Sequence, residues 1–507
     1  MGVLLAAAVL AAGLATEAEC RQPLDLLYNG RMEEALQGTA ALAAAHADDP
    51  LAAYVDALAF IWKVEQRPEV TSLDKDLEKR VRRAVSVADR RLRTDPNDVR
   101  ALLARGATWG VSSRYHMFRR HKSKAARDGA RMRADLLAVR RLEPRNMDAL
   151  FGLGLYDYYA DVLPRLLKLL RLFARIPGGD RERGLLAIEE SREGAALHGT
   201  EIQVQLYEIY AWYEKRPDRA LAEIRDLSRR HPGWPLWTLK LAEHLRDRMG
   251  LYAESAQVAR LLLAAEEGRP PEERGAAAVL ARVSLGESLL LDLRLDEARR
   301  VLLPARDGGA GGARVGQQAE LLLGRTLELE GDRQGAQGHY QRAADGPDRE
   351  LRKQAQAALS HPLPAGQVRA VHLIAEARRA RERARPAEAA ATYRQAYRLW
   401  PRSHEAALRV AEDDLRHGRR EAARDVIEGL TGESDPEPPW VRPWSWLLRA
   451  EIFDLAGDRD AALHQYRKVL SDPHGQDELK ERAAQGLRRP FTPAETPKPG
   501  AGAGRLL

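Results

Sequence analysis

The stretch GLYDYYADVLP, Gly154 to Pro164, places two aspartates and three tyrosines within a few residues of one another. Asp157 and Asp161 are four apart and share a face if the stretch is helical. Two carboxylates divide acid and base roles only where their surroundings split their pKa values. Nothing near them in sequence supplies that asymmetry, so the pair predicts a solvated acidic stripe or a salt bridge between helices. Tyr156 and Tyr159 also share a face, with Gly152 one turn before Tyr156. Such tyrosines either pack as ledges with hydrogen-bonded hydroxyls or line a ligand groove. Both stand as candidate partner-binding residues.

A second cluster is basic. RYHMFRRHKSKAARDGARMR, Arg114 to Arg133, holds Arg119, Arg120, Lys122 and Lys124, with Asp128 as its single acid. It reads as a solvated face or as a patch for an acidic partner or lipid headgroups. Tyr115 and Phe118 are too few for base stacking. The net charge of +7, from 81 basic and 74 acidic residues, is mild for the length. No nucleic-acid partner is therefore expected. His116 and His121 are five apart, off a common helical face, so a metal pair is not expected. Cys20 is the only cysteine. It excludes a disulfide within the chain and any zinc site needing two thiolates. Nucleophile-elbow, zinc-protease, Rossmann and P-loop patterns are missing. The sequence thus predicts no catalytic residue, no cofactor and no metal, and a protein that is not an enzyme.

The elements that must position these residues are helical. Aromatics are 6% and charged residues 31%, with β-branched residues sparse, the composition of helices rather than sheets. LGESLLLDLRLDEARRVLLPA (Leu285 to Ala305) and LGRTLELEGDRQGAQGHYQRA (Leu323 to Ala343) share one grammar. Each has Leu-Gly on a first helix and a small residue, Ala298 or Ala336, on a second. Ala389, Ala423 and Ala462 continue the register at close to the ~34-residue period of such repeats. The longer interval between Ala336 and Ala389 contains SHPLPAG, Ser360 to Gly366, read as an inserted loop or extra turn. These segments closely resemble the tetratricopeptide repeat. That resemblance implies paired antiparallel helices whose small residues sit where the helices cross. About ten such hairpins would stack into an all-α, right-handed superhelical solenoid.

The N-terminal half repeats the grammar more loosely, with Asp-Pro or Pro stops at Pro50, Pro96 and Pro144. A Gly-x-Tyr helix (Gly154 to Tyr156), Leu163-Pro164, a leucine-rich run and the Gly178 to Asp180 turn follow in order. Gly184-Leu185 and an Ala-rich helix closing on Pro232 complete the set. With these features, residues 24–245 resemble a bacterial group of envelope tetratricopeptide proteins. They also resemble, distantly, the eukaryotic family named for tetratricopeptide repeat protein thirty-nine. The resemblance implies an adaptor-like role and supplies no catalytic residues.

The expected organisation is a signal peptide over 1–18, divergent helical repeats over 24–200 and a tetratricopeptide array over 201–473. A capping helix over 474–489 and a disordered tail over 490–507 follow. Val3 to Leu14 is uncharged and apolar, too short to span a bilayer, with small residues Gly13 and Ala15, or Thr16 and Ala18, at cleavage spacing. No Lys or Arg precedes it, as a start placed downstream of the true one would also give. A lipid on Cys20 is opposed by Glu19, since lipoprotein signals need a small residue there. Export to the periplasm or envelope is the expected localisation, with a cytoplasmic chain as the alternative. LPRLLKLLRLFARIPGG, Leu163 to Gly179, has an apolar arc and a basic edge. It reads as a buried helix with snorkelling cations, or as a membrane-surface helix over 163–176. The function expected is a scaffold that binds a protein or peptide in its groove. A peripheral membrane adaptor is the alternative, and an enzyme subunit stands behind both.

Overall fold

The computed structural model describes residues 13–67, 70–162, 178–270, 275–432, 438, 440–472 and 477–492. The leucine-rich stretch 163–176, the apolar run up to residue 12 and the tail beyond residue 492 lie outside the described residues. Every described element is helical. Helices follow one another as antiparallel hairpins, most of them packed on their neighbours in sequence, and first helices such as Pro50–Gln66 and Val99–Phe118 also pack on one another. The chain divides into two compact units. The first holds residues up to Glu208 with Asp226–Trp234, and the second holds Ile209–Arg225 with Pro235 onward.

The helix starts are written in the sequence. Asp49 caps the Pro50–Gln66 helix, where Pro takes the first turn and the Asp49 carboxylate accepts from Leu51 N at 3.0 Å. Asp98, Asp180, Asp332, Ser403 and Asp458 cap later helices in the same way. Helix ends use the left-handed turn. Gly331, at φ +92°, closes Ala313–Glu330 before Arg333–Ala344 begins.

The small crossing residues are where the repeat grammar puts them. Ala298, Ala336, Ala389, Ala423 and Ala462 are all at most 2% exposed. Larger side chains such as Tyr340, Tyr393 and Tyr466 fill the space beside them. Ser360 to Gly366 holds the expected loop, at residues 361–364, and the longer interval also contains a whole helix, Arg349–Ser360, ahead of it. Met147–Val162 and Arg181–Ser191 approach closely. A Cβ on Gly184 would stand 2.4 Å from Tyr158 N and 2.7 Å from Gly154 O. This explains Gly154 and Gly184 of the family-like stretch.

The first described residues belong to the fold. Ala15 is buried, and its N–H donates to Asp49 Oδ2 at 2.9 Å. Arg100 binds both Asp49 and the Ala15 carbonyl. Thr16 and Glu19 form a capping box on the Glu17–Tyr28 helix. Cys20 is fully buried, and burial pushes its thiol up to about 11.

Candidate functional site

The residues singled out from sequence do not converge. Tyr156 is buried among Leu102, Leu103, Met132 and Leu136, with the Arg133 guanidinium 5.6 Å from its ring. Tyr159 is half-buried and its hydroxyl donates to Gln205 Oε1 at 3.1 Å. Asp157 pairs with Arg183 at 2.9 Å, and Asp161 accepts from Arg181 N at 3.3 Å, so both tie one helix to the next. Arg119 turns away from the basic stretch and binds Asp74 at 2.7 Å. Arg120, Lys122 and Lys124 are exposed around the turn between the Val99–Phe118 and Lys122–Leu142 helices. The His116 and His121 rings lie 5.8 Å apart. No group of three or more metal-ligating side chains occurs among the described residues.

The first unit instead organises around Glu201, a residue the sequence did not flag. Glu201 accepts from Trp62 Nε1 at 2.6 Å, from the Tyr28 hydroxyl at 3.0 Å and from Arg114 Nη1 at 3.2 Å. Arg114 also forks onto Glu65, at 2.7 and 2.5 Å. Burial alone would lower its pKa, but Glu65 and Glu201 together hold it above the ordinary arginine value. Tyr28 is pushed well above the usual phenol range by burial and by Glu201. Beside the hub runs a second chain. Asp148 Oδ1 lies 2.7 Å from His198 Nδ1, and His198 Nε2 lies 2.5 Å from the Tyr54 hydroxyl. This carboxylate–imidazole–hydroxyl order is that of a nucleophile relay. Tyr54 is only 2% exposed, and burial, then Glu201, drive its hydroxyl far above the usual range. Sealed from solvent, this hydroxyl meets no substrate, and the relay ties the Tyr54, Asp148 and His198 segments together.

These ties close the first unit on itself. The Tyr28 ring lies 5.9 Å from that of His231, and Trp62 lies 5.6 Å from Trp234. Asn29 Nδ2 approaches His231 Nδ1 at 3.4 Å, and Thr200 Oγ1 approaches His231 Nε2 at 3.2 Å. Trp62, Arg114 and Glu201 all stand on the first helices of their hairpins. The face that lines a groove in an open array is here filled by its own side chains.

The second unit carries a different arrangement on its last first-helices, Ala365–Glu382, His404–Arg416 and Val441–Ala456. Glu405, Glu412 and Glu451 are buried, and arginines cover them. Arg378 forks onto Glu405 at 2.9 and 2.5 Å, and Arg482 holds Glu451 at 2.7 Å. Glu412 is shared by Arg409 at 2.9 Å, Arg416 at 2.6 Å and Arg381 at 3.6 Å. Burial would raise the Glu412 carboxyl, but those three cations hold it below its ordinary value. Burial dominates at Glu451 and raises it despite Arg482. The Arg409 guanidinium lies 5.1 Å from the Trp440 ring and 5.5 Å from that of Trp444. A sequence signal existed for this seam: Glu405, Arg409, Glu412 and Arg416 alternate in charge at three- and four-residue steps.

The hairpins and their crossing residues make this a tetratricopeptide-type helical repeat protein. No protein-family model matches the chain, and no curated protein does. Solved repeat structures are similar to it. A tetratricopeptide repeat protein from Parabacteroides merdae is 14% identical, covering 56% of this chain and 97% of its own, with a TM-score of 0.24. The APC/C hetero-tetramer Cut9–Hcn1 is 13% identical, covering 90% of this chain and 87% of its own, with a TM-score of 0.25. Superpositions at that level carry no argument, and the fold rests on the hairpin packing described above.

Proposed function

We propose that this chain is a non-enzymatic scaffold that binds a protein or peptide, and that it works in the bacterial envelope. The arginine–tryptophan seam of the second unit carries the reading. It lies on first helices, spans three successive hairpins and leaves guanidinium donors in solvent over buried carboxylates. Among the described residues the relay-like Asp148–His198–Tyr54 chain ends in a sealed tyrosine, which favours binding over catalysis. The envelope half of the proposal rests on the apolar run Val3 to Leu14. No helix among the described residues is long and apolar enough to cross a membrane.

Site-specific photocross-linking in the native host tests the binding face. Probes at Trp444 and Arg381, on first helices, are expected to capture a partner that probes at the second-helix positions Arg424 and Arg467 miss. Capture confined to the second-helix positions would remove the groove reading. Fractionation with N-terminal sequencing tests the compartment, and recovery of the intact chain solely in the cytoplasm would remove the envelope half.

A further inference from the structure

The seam holds more positive charge than the carboxylates beneath it neutralise. Arg378 with Glu405 and Arg482 with Glu451 are one-to-one pairs. At Glu412 three guanidiniums share one carboxylate. The nearby Asp413 and Asp414 do not redress this, because Arg394 and Arg419 already occupy both.

The surplus has a location. At 3.6 Å from Glu412, Arg381 is beyond hydrogen-bonding distance, and among the described residues its guanidinium makes no hydrogen bond. Its side chain is 40% exposed and that of Arg416 64%. Arg409 Nε is a buried donor without an acceptor. A buried guanidinium normally satisfies its planar fork of donors bidentately. Here the fork of Arg381 faces solvent beside two like charges. Burial, then the charge of Arg409, push its pKa below the ordinary arginine value.

We infer that this seam receives an acidic segment of a partner protein, with side-chain carboxylates seated on Arg381 and Arg416. The inference rests on the scaffold reading and names the chemistry of its partner. Two observations favour an extended acidic chain over a small anion. The cations Arg378, Arg381, Arg409, Arg416 and Arg482 stand on three separate helices, Ala365–Glu382, His404–Arg416 and Asp477–Arg488, rather than converging on one point. Trp440 and Trp444 add half-buried apolar wall beside them, which a peptide backbone packs against and a hydrated ion does not.

The test uses the full chain and fluorescein-labelled (Gly-Glu)6 and (Gly-Gln)6 peptides, read by anisotropy. The glutamate peptide is expected to bind at least tenfold more tightly than its glutamine twin, with affinity falling as salt rises. The double variant Arg381→Ser, Arg416→Ser is expected to weaken it at least tenfold. Both residues are substantially exposed, so circular dichroism should be unchanged. Arg300→Ser, an exposed arginine paired with Asp296 on a second helix, is the control and should have no effect. Equal binding of the two peptides would overturn the acidic partner and leave the scaffold reading standing. Displacement of the glutamate peptide by millimolar inorganic phosphate, or its failure to bind while phosphatidylglycerol vesicles do, would overturn it in favour of a small anion or a lipid surface. No binding of either peptide also overturns it. The cross-linking pattern then decides the scaffold reading separately.

Discussion

Replacing Glu201 is the sharpest perturbation of the first unit. In Glu201→Ala, Trp62 Nε1 and the Tyr28 hydroxyl lose their acceptor, and Arg114 loses one of two carboxylates. A buried donor left without a partner costs ~1–3 kcal/mol. Breaking a buried ion pair costs ~3–5 kcal/mol when the charge is left alone. Arg114 keeps its fork on Glu65, so its share stays well under that limit. The sum is about 3–5 kcal/mol. Glu201→Gln keeps the shape and one acceptor oxygen but turns an amide toward Arg114, and should cost about 1–2 kcal/mol. A chain with two units will not unfold in one step, so a single melting curve is the wrong readout. Hydrogen exchange resolves the region. Peptides covering Tyr28, Trp62 and His231–Trp234 should exchange ~100-fold or more faster in Glu201→Ala, since ~1.4 kcal/mol is tenfold. Peptides from Ala365–Glu382 should not change. Exchange within about fivefold of the wild type at all three sites would refute the claim that this carboxylate holds the unit closed.

Further outcomes follow from the same packing. Gly184→Ala drives a methyl into backbone atoms of the facing helix, which cannot rotate away, and should cost at least ~1–3 kcal/mol in thermal or urea unfolding of the first unit. Cys20 should resist maleimide in the native protein and label fully in denaturant, and labelling at the rate of an exposed thiol would contradict its burial. His231 has its pKa lowered to about 4 by burial, then by Arg230, against the opposing pull of Asp226. As pH falls, the unfolded chain takes up that proton first, near pH ~6.5. The stability given by the neutral ring is therefore full above that value and lost as pH drops toward the folded pKa, by at most ~3 kcal/mol. Exchange at Tyr28–Arg31 should rise across that window, and His231→Gln should flatten the rise.

The repeat architecture was legible because it is local. Ala298, Ala336, Ala389, Ala423 and Ala462 announce helix crossings within one hairpin, and all five are buried. Capping aspartates and the Gly331 turn act over three or four residues. The Arg349–Ser360 helix went unread because it lies outside the period that made its neighbours visible. The hub was illegible for the opposite reason. Glu201 meets Tyr28 across 173 residues and Trp62 across 139, distances at which no spacing rule operates. Tyr156 and Arg119 were flagged by residue type, and neighbours far along the chain, Met132 and Asp74, decide their surroundings. The seam lies between these cases. The charge alternation on Glu405 to Arg416 was readable, while Trp440 and Arg482 reach it only through the fold.

The closure of the first unit bears on how it folds. In a linear repeat array each unit touches only its neighbours, so folding can nucleate anywhere, ends fray first and stability grows by increments. Contacts between Tyr28–Gly30 and His231–Trp234 remove the free end. Loop-closure entropy must then be met before those contacts form, which raises contact order and slows folding relative to an open array of equal length. Once formed, the ring should open as one cooperative block rather than peel helix by helix. Deleting one internal hairpin, harmless to the register of an open solenoid, would here misalign both faces of the joint.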